Sequence, residues 1–171
     1  MNLENIKVRL DLPYPEITEA TNDPNTVAIL KNLATSKMGE LGGVLQYVYQ
    51  SVVAGASNPE IADIFEEISI VEMMHLDMLM NAIMSFGGIP KYEDANGNPF
   101  NVSNINYSMK LKDMLQTNIK DEQMAIEAYN AAINKVKNES LKQLLGRIVK
   151  DEQLHLQIFK QILNTVTFMS V

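Results

Sequence analysis

The chain of 171 residues contains only two histidines, and each of them follows a glutamate by three positions. The two motifs are Glu72-Met-Met-His75 and Glu152-Gln-Leu-His155. In an α-helix, residues three positions apart lie on the same face, about one turn from each other. A carboxylate and an imidazole at this spacing can bind a metal ion together. The two motifs therefore indicate metal chemistry, provided that both lie within helices.

Each Glu-x-x-His motif is preceded along the chain by a glutamate that is followed seven residues later by a tyrosine. The two pairs are Glu40 with Tyr47, and Glu122 with Tyr129. This repeated plan predicts an internal duplication with a pseudo-twofold axis through the site. In each half, the midpoint between the two glutamates falls in a predicted turn, so the two are expected to lie at the same level of an antiparallel helix pair.

Four long helices are predicted to position these residues. Asp23 as an N-cap, with Pro24 in the first turn, starts a helical pattern that continues to about Ala54. The other three helices are predicted from Pro59 to about Phe86, from about Ser108 to Val136, and from about Ser140 to Leu163. Gly55-Ala-Ser-Asn-Pro59 and Lys137-Asn138-Glu139, with Asn138 as a cap, are the short turns.

The lengths of the connections predict the topology. Short turns make the helices that they join antiparallel neighbours. Residues 87–107 are rich in Gly, Asn and Pro, and predict a loop. About 20 extended residues reach about 66 Å, whereas a helix of about 28 residues is about 42 Å long. The chain is therefore predicted to be an all-α four-helix bundle over residues 25–164, with two antiparallel hairpins joined by a long crossover at 87–107.

The two ends of the chain are predicted to lie outside the bundle, as an extended arm at residues 1–24 and a tail at residues 165–171. Ile6, Val8, Leu10 and Leu12 alternate with polar residues, which is the period of a strand. Prolines 13 and 15 then exclude a helix. The arm either packs along the body of its own chain or pairs with another subunit.

Four glutamates are predicted to lie on the apolar seams of the four helices: Glu40, Glu72, Glu122 and Glu152. Charged residues are almost never fully buried unless they are paired. The charge of two divalent metal ions balances four carboxylates, and two neutral imidazoles complete the ligand set. The alternative is a buried polar network in which the glutamates pair with the histidines, but four carboxylates would then share two weak bases.

On these residues, the sequence resembles the ferritin-like di-metal carboxylate proteins, in particular rubrerythrin-type domains and manganese catalases. The shared pattern is one glutamate on each of two helices and Glu-x-x-His on the other two. The resemblance implies that Glu72 and Glu152 bridge the metal ions and that Glu40 and Glu122 are terminal ligands. It also implies that His75 and His155 each bind one metal ion, with no catalytic residue beyond the metal ligands.

Residues around the ligands carry further expectations. Related sites often read Asp-Glu-x-x-His, and Asp151 fits this pattern and would orient His75. Val71 occupies the matching position, so His155 lacks such a partner and the two metal ions are expected to differ in affinity or potential. Tyr47 and Tyr129 are expected to hydrogen-bond ligand carboxylates, or alternatively to donate an electron. Gly39, Gly42 and Gly43 allow either close helix contact or room for an exogenous ligand.

Oxygen ligands with two imidazoles suit iron or manganese, of which iron is the first expectation, with zinc as an opportunistic occupant. The expected substrate is hydrogen peroxide or O2, reduced or disproportionated by a peroxidase or catalase. Rubrerythrins proper carry a cysteine-ligated iron, which a chain without cysteine cannot hold. Reductive turnover would therefore need a separate electron-donor protein. The alternatives are iron oxidation and storage in a shell, and a metal-free scaffold.

Composition limits the partners and the location. The net charge of -7 is not offset by any basic stripe, which argues against a nucleic-acid partner. No apolar run reaches the roughly 18–20 residues of a membrane span. The first residues carry charges where a signal peptide would be apolar, so a cytoplasmic protein is expected. A homodimer or a higher homo-oligomer is the expected assembly.

Overall fold

The computed structural model describes residues 6–168, most of which are helical. The five α-helices are α1 (Pro24–Thr35), α2 (Glu40–Gly55), α3 (Pro59–Ser85), α4 (Leu111–Lys135) and α5 (Glu139–Phe168). Helices α1 and α2 together take the place of the first predicted helix, so the predicted all-α four-helix bundle is confirmed. Among the described residues, no helix is both long enough and apolar enough to cross a membrane.

The first predicted helix is not continuous. The sequence predicts one helix from Pro24 to about Ala54, and this prediction is wrong because the helix is interrupted at residues 36–39. A Cβ atom at Gly39 would lie 2.6 Å from the carbonyl oxygen of Leu33, so only glycine fits the break. As a result Glu40 is the first residue of α2, where the helix dipole favours a carboxylate.

Side chains cap two of the helices where the sequence predicts their starts. The carboxylate of Asp23 accepts hydrogen bonds from the backbone N–H groups of Asn25 (3.0 Å) and Thr26 (3.2 Å), at the start of α1. The side chain of Asn138 accepts a hydrogen bond from the N–H of Leu141 (2.8 Å), at the start of α5. Each contact satisfies donors that the first turn of a helix leaves free.

The crossover connects α3 to α4 along the outside of the bundle. Near its start Glu93 forms an ion pair with Lys31 of α1, with 2.6 Å between the charged atoms. Near its end the carbonyl of Tyr107 accepts a hydrogen bond from the hydroxyl of Tyr49 on α2 (3.0 Å). The segment thus passes from one end of the bundle toward the other, which lets α3 and α4 run in the same direction.

The two ends of the chain differ in what is described. The arm residues from 6 onward pack on the body of the same chain: Val8 is buried, and the N–H of Thr18 donates to the hydroxyl of Ser140. Helix α5 extends to Phe168, into the segment 165–171 that the sequence assigns to a tail. Residues 1–5 of the predicted arm and 169–171 of the predicted tail lie outside the described residues.

The apolar core consists of two clusters, with a charged layer between them. One cluster contains Leu30, Leu79, Ile83, Tyr129, Leu145 and Ile148. The other contains Tyr47, Phe65, Ile68, Met114, Leu115 and Phe159. Glutamates and histidines are buried at the level between the two clusters. Burial of this much charge is costly unless a counter-charge is present, so the layer is a candidate site rather than an ordinary part of the core.

Candidate metal centre

All six predicted ligands meet in the charged layer, and none is more than 5% exposed. They form two groups, in each of which one ligand atom per residue lies within 4.8 Å of the others. The groups are Glu40, Glu72, His75 and Glu152, and Glu72, Glu122, Glu152 and His155. Glu72 and Glu152 belong to both groups, which is the arrangement that two bridging carboxylates require.

Each shared glutamate directs one oxygen to each histidine. The oxygens of Glu72 lie 3.6 Å from Nδ1 of His75 and 3.2 Å from Nδ1 of His155. Those of Glu152 lie 2.9 Å and 3.6 Å from the same two nitrogens. Ligand atoms that are each about 2.1 Å from one metal ion lie about 3.0–3.4 Å apart. The spacing therefore suits two metal ions that share two carboxylates.

The terminal glutamates complete the two groups. Glu40 Oε2 lies 3.6 Å from Nδ1 of His75, and Glu122 Oε1 lies 3.9 Å from Nδ1 of His155. Within residues 6–168, four buried atoms of the centre have no hydrogen-bond partner: both Nδ1 atoms, Glu40 Oε2 and Glu152 Oε1. Unsatisfied buried polar atoms are costly. They face one another as lone-pair donors to a shared cation would, so these residues fit a metal centre.

Electrostatics divides the four carboxylates into two kinds. Burial and the neighbouring carboxylates raise the pKa values of Glu40 and Glu122 well above the ordinary range. Burial also acts on Glu72 and Glu152, but the neighbouring histidines outweigh it and lower their pKa values. Among the four, the shared glutamates therefore favour the ionised form, while the terminal ones favour the protonated form when no metal is bound.

The histidines also hold protons when no metal is bound. Burial opposes their charge, but the surrounding carboxylates outweigh it. They raise the pKa of His155 to about 10 and that of His75 well above its ordinary value. Protons and metal ions thus compete for the same atoms, which makes metal binding pH-dependent.

Two tyrosines connect the halves of the bundle through the terminal glutamates. The hydroxyl of Tyr47 donates to Glu122 Oε1 (2.6 Å), and that of Tyr129 donates to Glu40 Oε1. Each tyrosine lies on one hairpin and its glutamate on the other, which is the reciprocal exchange that a pseudo-twofold axis produces. Burial raises the pKa values of both hydroxyls well above 10, so they remain donors. Tyr129 fixes Oε1 of Glu40 and leaves Oε2 toward His75, whereas Tyr47 bonds the same oxygen of Glu122 that lies 3.9 Å from His155.

On the outer side of His75, four groups surround the carboxylate of Asp151. Its oxygens lie 3.3 Å from Nε2 of His75 and 2.8 Å from the guanidinium of Arg147. They also accept hydrogen bonds from the hydroxyl of Tyr14 (2.6 Å) and the N–H of Leu10 (2.9 Å). Burial opposes its charge, but these contacts outweigh it and keep the pKa of Asp151 well below its ordinary value. Asp151 is thus an ionised acceptor for the outer N–H of His75.

The outer side of His155 is different. Its Nε2 lies 2.9 Å from the backbone carbonyl oxygen of Val8, so it must donate its proton there. Val71, at the position that matches Asp151, has no carboxylate. The backbone carbonyl of Val8 in the arm is the neutral acceptor for His155 instead. In both histidines the outer nitrogen keeps its proton, so Nδ1 is the nitrogen that a metal ion would bind in place of a proton.

Of the three further residues that contact the outer side of the centre, only Arg147 could have been found from the sequence. Arg147 is four residues before Asp151 on α5, and an ion pair at this spacing is a signal that could have been read. Tyr14 lies between two prolines, where no periodicity predicts a contact. Burial raises its pKa to about 12, so its hydroxyl keeps the proton that it donates. Val8 contacts His155 through its backbone carbonyl, and a contact of this kind cannot be predicted from the residue type.

The glycines near Glu40 serve two purposes. Gly39 permits the close approach of backbone at the helix break. A Cβ atom at Gly43 would lie 3.2 Å from Cγ of Glu72, so this glycine leaves room for a predicted ligand. Gly39 thus fits close helix contact, and Gly43 leaves the space that the side chain of Glu72 needs.

A cavity of about 250 Å³ opens onto the carboxylate side of the centre. Its walls include all four glutamates, together with Gln46, Asn104, Asn106, Thr117 and Asp121. Lys37 and Lys120 also line it, and both are exposed. The volume is below the range of about 300–1,000 Å³ usual for drug-sized ligands, and suits small molecules.

Several solved structures are similar to the chain. A manganese catalase from Anabaena PCC7120, KatB, shares 25% identity and covers 93% of this chain and 80% of its own, with a TM-score of 0.84. A Desulfovibrio desulfuricans bacterioferritin with a diiron site is 21% identical over 84% of this chain and 80% of its own, with a TM-score of 0.73. The bacterioferritin of Rhodobacter capsulatus is 18% identical over 85% of this chain and 87% of its own, with a TM-score of 0.73.

The two bacterioferritins show the shared fold. No curated protein sequence matches the chain. The model of the ferritin-like domain matches residues 39–169, which include all six predicted ligands. With its bundle and its two overlapping groups of carboxylate and imidazole ligands, the chain belongs to the ferritin-like domain family.

Proposed function

We propose that the protein binds two metal ions and uses them to disproportionate hydrogen peroxide. The observation that carries this proposal is the pair of ligand groups that share Glu72 and Glu152 and open to a small cavity on their carboxylate side. Glu40 and His75 would complete one metal site, and Glu122 and His155 the other. Two redox-active metal ions would exchange electrons with peroxide when bound.

Disproportionation suits the chain because it needs no external reductant. One molecule of hydrogen peroxide is oxidised to O2 while a second is reduced to two molecules of water. The chain has no cysteine that could ligate an electron-relay iron. A peroxidase reaction remains the second candidate, and it would require a separate electron-donor protein.

The metal is the point on which sequence and comparison differ. The sequence favours iron ahead of manganese, whereas the 25% identity with a manganese catalase favours manganese. We therefore propose manganese for the catalase reaction. Zinc would fit the same ligands but cannot exchange electrons, so it would occupy the centre without activity.

Iron storage is the alternative that the bacterioferritin fold suggests. The charges of the cavity do not separate it from catalysis, because the four glutamates line the cavity together with Asp121, Lys37 and Lys120. Carboxylates attract Fe²⁺ and Mn²⁺ alike. Storage requires a large hollow shell, whereas catalysis requires only a dimer or a small oligomer. Native mass measurement therefore separates the two.

The test begins with protein purified without chelators, after growth with both iron and manganese supplied. We expect about two equivalents of one of these metals per chain. Portions stripped of metal and reloaded with Mn²⁺, Fe²⁺ or Zn²⁺ are then given hydrogen peroxide in an oxygen electrode cell without reductant. Manganese-loaded protein should release one O2 for every two peroxides consumed, and zinc-loaded protein none.

The other outcomes are equally informative. Peroxide consumption that appears only after a reductant is added would contradict disproportionation and favour a peroxidase. Uptake of many iron ions per chain by a large shell would favour storage. Protein that takes up no metal, even under anaerobic reconstitution, would contradict the metal centre and favour a scaffold.

A further inference from the structure

The N-terminal arm supplies groups to the outer side of the centre, opposite the cavity. The carbonyl of Val8 accepts the N–H of His155, and the N–H of Leu10 donates to Asp151. The hydroxyl of Tyr14 donates to Asp151 (2.6 Å) and lies 3.3 Å from Nε2 of His75. A segment outside the bundle thus contacts both histidines, although it contributes no predicted ligand.

Arg147 fastens this segment to the bundle. Its guanidinium donates to the carbonyl oxygens of Leu12 (3.1 Å) and Leu10 (2.8 Å), and it pairs with Asp151. Its central carbon also lies 4.4 Å from the centre of the Tyr14 ring, in cation–π contact. The ring of Tyr14 is therefore held independently of its hydroxyl, which is free to act on Asp151.

The two histidines have unequal outer partners. Nε2 of His75 faces the carboxylate of Asp151, while Nε2 of His155 faces the neutral carbonyl of Val8. A charged acceptor draws the outer proton more strongly, and so makes the opposite nitrogen a stronger metal ligand. The half of the centre that contains Glu40 and His75 therefore has the better donor.

We propose that Tyr14 is a positioning residue, which holds Asp151 against His75 and thereby makes the Glu40–His75 half of the centre the tighter metal site. The inference rests on the metal centre proposed above. The hydroxyl supplies the shortest hydrogen bond to the carboxylate oxygen that His75 shares. Without it, only Arg147 and the N–H of Leu10 hold Asp151, and His75 loses part of what fixes its outer partner.

The experiment compares the full-length chain with Tyr14→Phe and with the matched control Tyr49→Phe. Phenylalanine keeps the ring against Arg147, so the first variant should fold. The hydroxyl of Tyr49 donates to the carbonyl of Tyr107, away from the ligands. Each protein carries ¹⁵N-labelled histidine and is titrated with Zn²⁺, which is diamagnetic, against a competing chelator. NMR follows the two imidazoles, and contact with the ring at position 14 identifies His75.

In the unmodified chain, the first equivalent of Zn²⁺ should move the His75 signals before those of His155. Tyr14→Phe should weaken this first step about 10-fold and shift the Nε2 signal of His75. Tyr49→Phe should do neither. The inference is overturned if Tyr14→Phe leaves the first affinity and the His75 signal unchanged, or if the His155 half fills first. A chain that binds no Zn²⁺, Mn²⁺ or Fe²⁺ would instead overturn the metal centre itself.

Discussion

Two glutamates on different faces of α4 lie in opposite environments. Glu122 is buried and faces His155, whereas Glu127, five positions later, is exposed to solvent. A difference of five residues rotates a side chain by about 140° around a helix. Position on the helix, rather than residue type, decides which glutamate can act as a ligand.

Glu72→Ala should abolish the binding of two metal ions, because Glu72 belongs to both ligand groups. Glu127→Ala should leave two equivalents bound. The measurement is metal content per chain after reconstitution with Mn²⁺ and gel filtration. Similar metal contents in the two variants would show that the assignment of faces is wrong.

Metal binding at pH 7 should release protons. The pKa of His155 is about 10 and that of His75 is also raised, so both imidazoles are protonated in metal-free protein at this pH. Glu40 and Glu122 have raised pKa values as well. Raised pKa values mean that metal affinity increases as the pH rises toward 10. A pH-indicator dye in weak buffer measures the protons that are released. A metal affinity that does not change between pH 6 and 9 would contradict the prediction.

The sequence predicts that the six proposed ligands come together, because their geometry depends on local spacing. Glu-x-x-His defines a helix face without any knowledge of the rest of the chain, and the structure brings both motifs together. The outer contacts are different, since they join Tyr14 and Val8 to residues more than 60 positions away. No periodicity in a proline-rich arm specifies such a contact.

At the scale of the elements, the break between α1 and α2 was not predicted because the apolar spacing continues across it. Leu30 and Leu33 precede the break and Val44 and Tyr47 follow it, all on the core side. Backbone crowding at Gly39, rather than hydrophobic pattern, ends the helix there. The caps at Asp23 and Asn138 were predictable, because they depend on side chains next to the turn.

Two glycines should respond to alanine in opposite ways. Gly146 lies within α5, and a Cβ atom there would meet nothing within 4 Å. Gly146→Ala should therefore stabilise the protein by about 0.5–1 kcal/mol, without changing metal binding. Gly43→Ala should displace Glu72 and weaken metal binding. Thermal melting and Mn²⁺ titration of both variants check this, and weaker metal binding by Gly146→Ala would contradict it.

At the scale of the whole molecule, a charged layer divides the apolar core. The lengths of the connections predict this architecture, because a crossover of about 20 residues can span the bundle. The free-energy cost of the layer is also predictable from the sequence, which places four glutamates on apolar seams. It follows from six buried ionisable ligands between two hydrophobic clusters, and a bound cation would remove much of it.

Metal-loaded protein should melt at a higher temperature than metal-free protein. A ligand at 100 times its Kd stabilises the native state by about 2.7 kcal/mol, which corresponds to about 5–10 °C for a chain of this size. Differential scanning calorimetry with and without saturating Mn²⁺ measures the shift. Glu72→Ala should show little shift, and equal melting temperatures for the unmodified chain would contradict a functional centre.

The cavity and the arm lie on opposite sides of the centre, and this arrangement has a kinetic consequence. The histidine side is covered by residues 8–14, whereas the carboxylate side faces the cavity. A chelator that removes metal and a peroxide that reacts with it would then approach through the same opening. Residence of the metal and turnover of the substrate are thereby coupled, so a small molecule lodged between Lys37 and Lys120 would slow both exchange and catalysis.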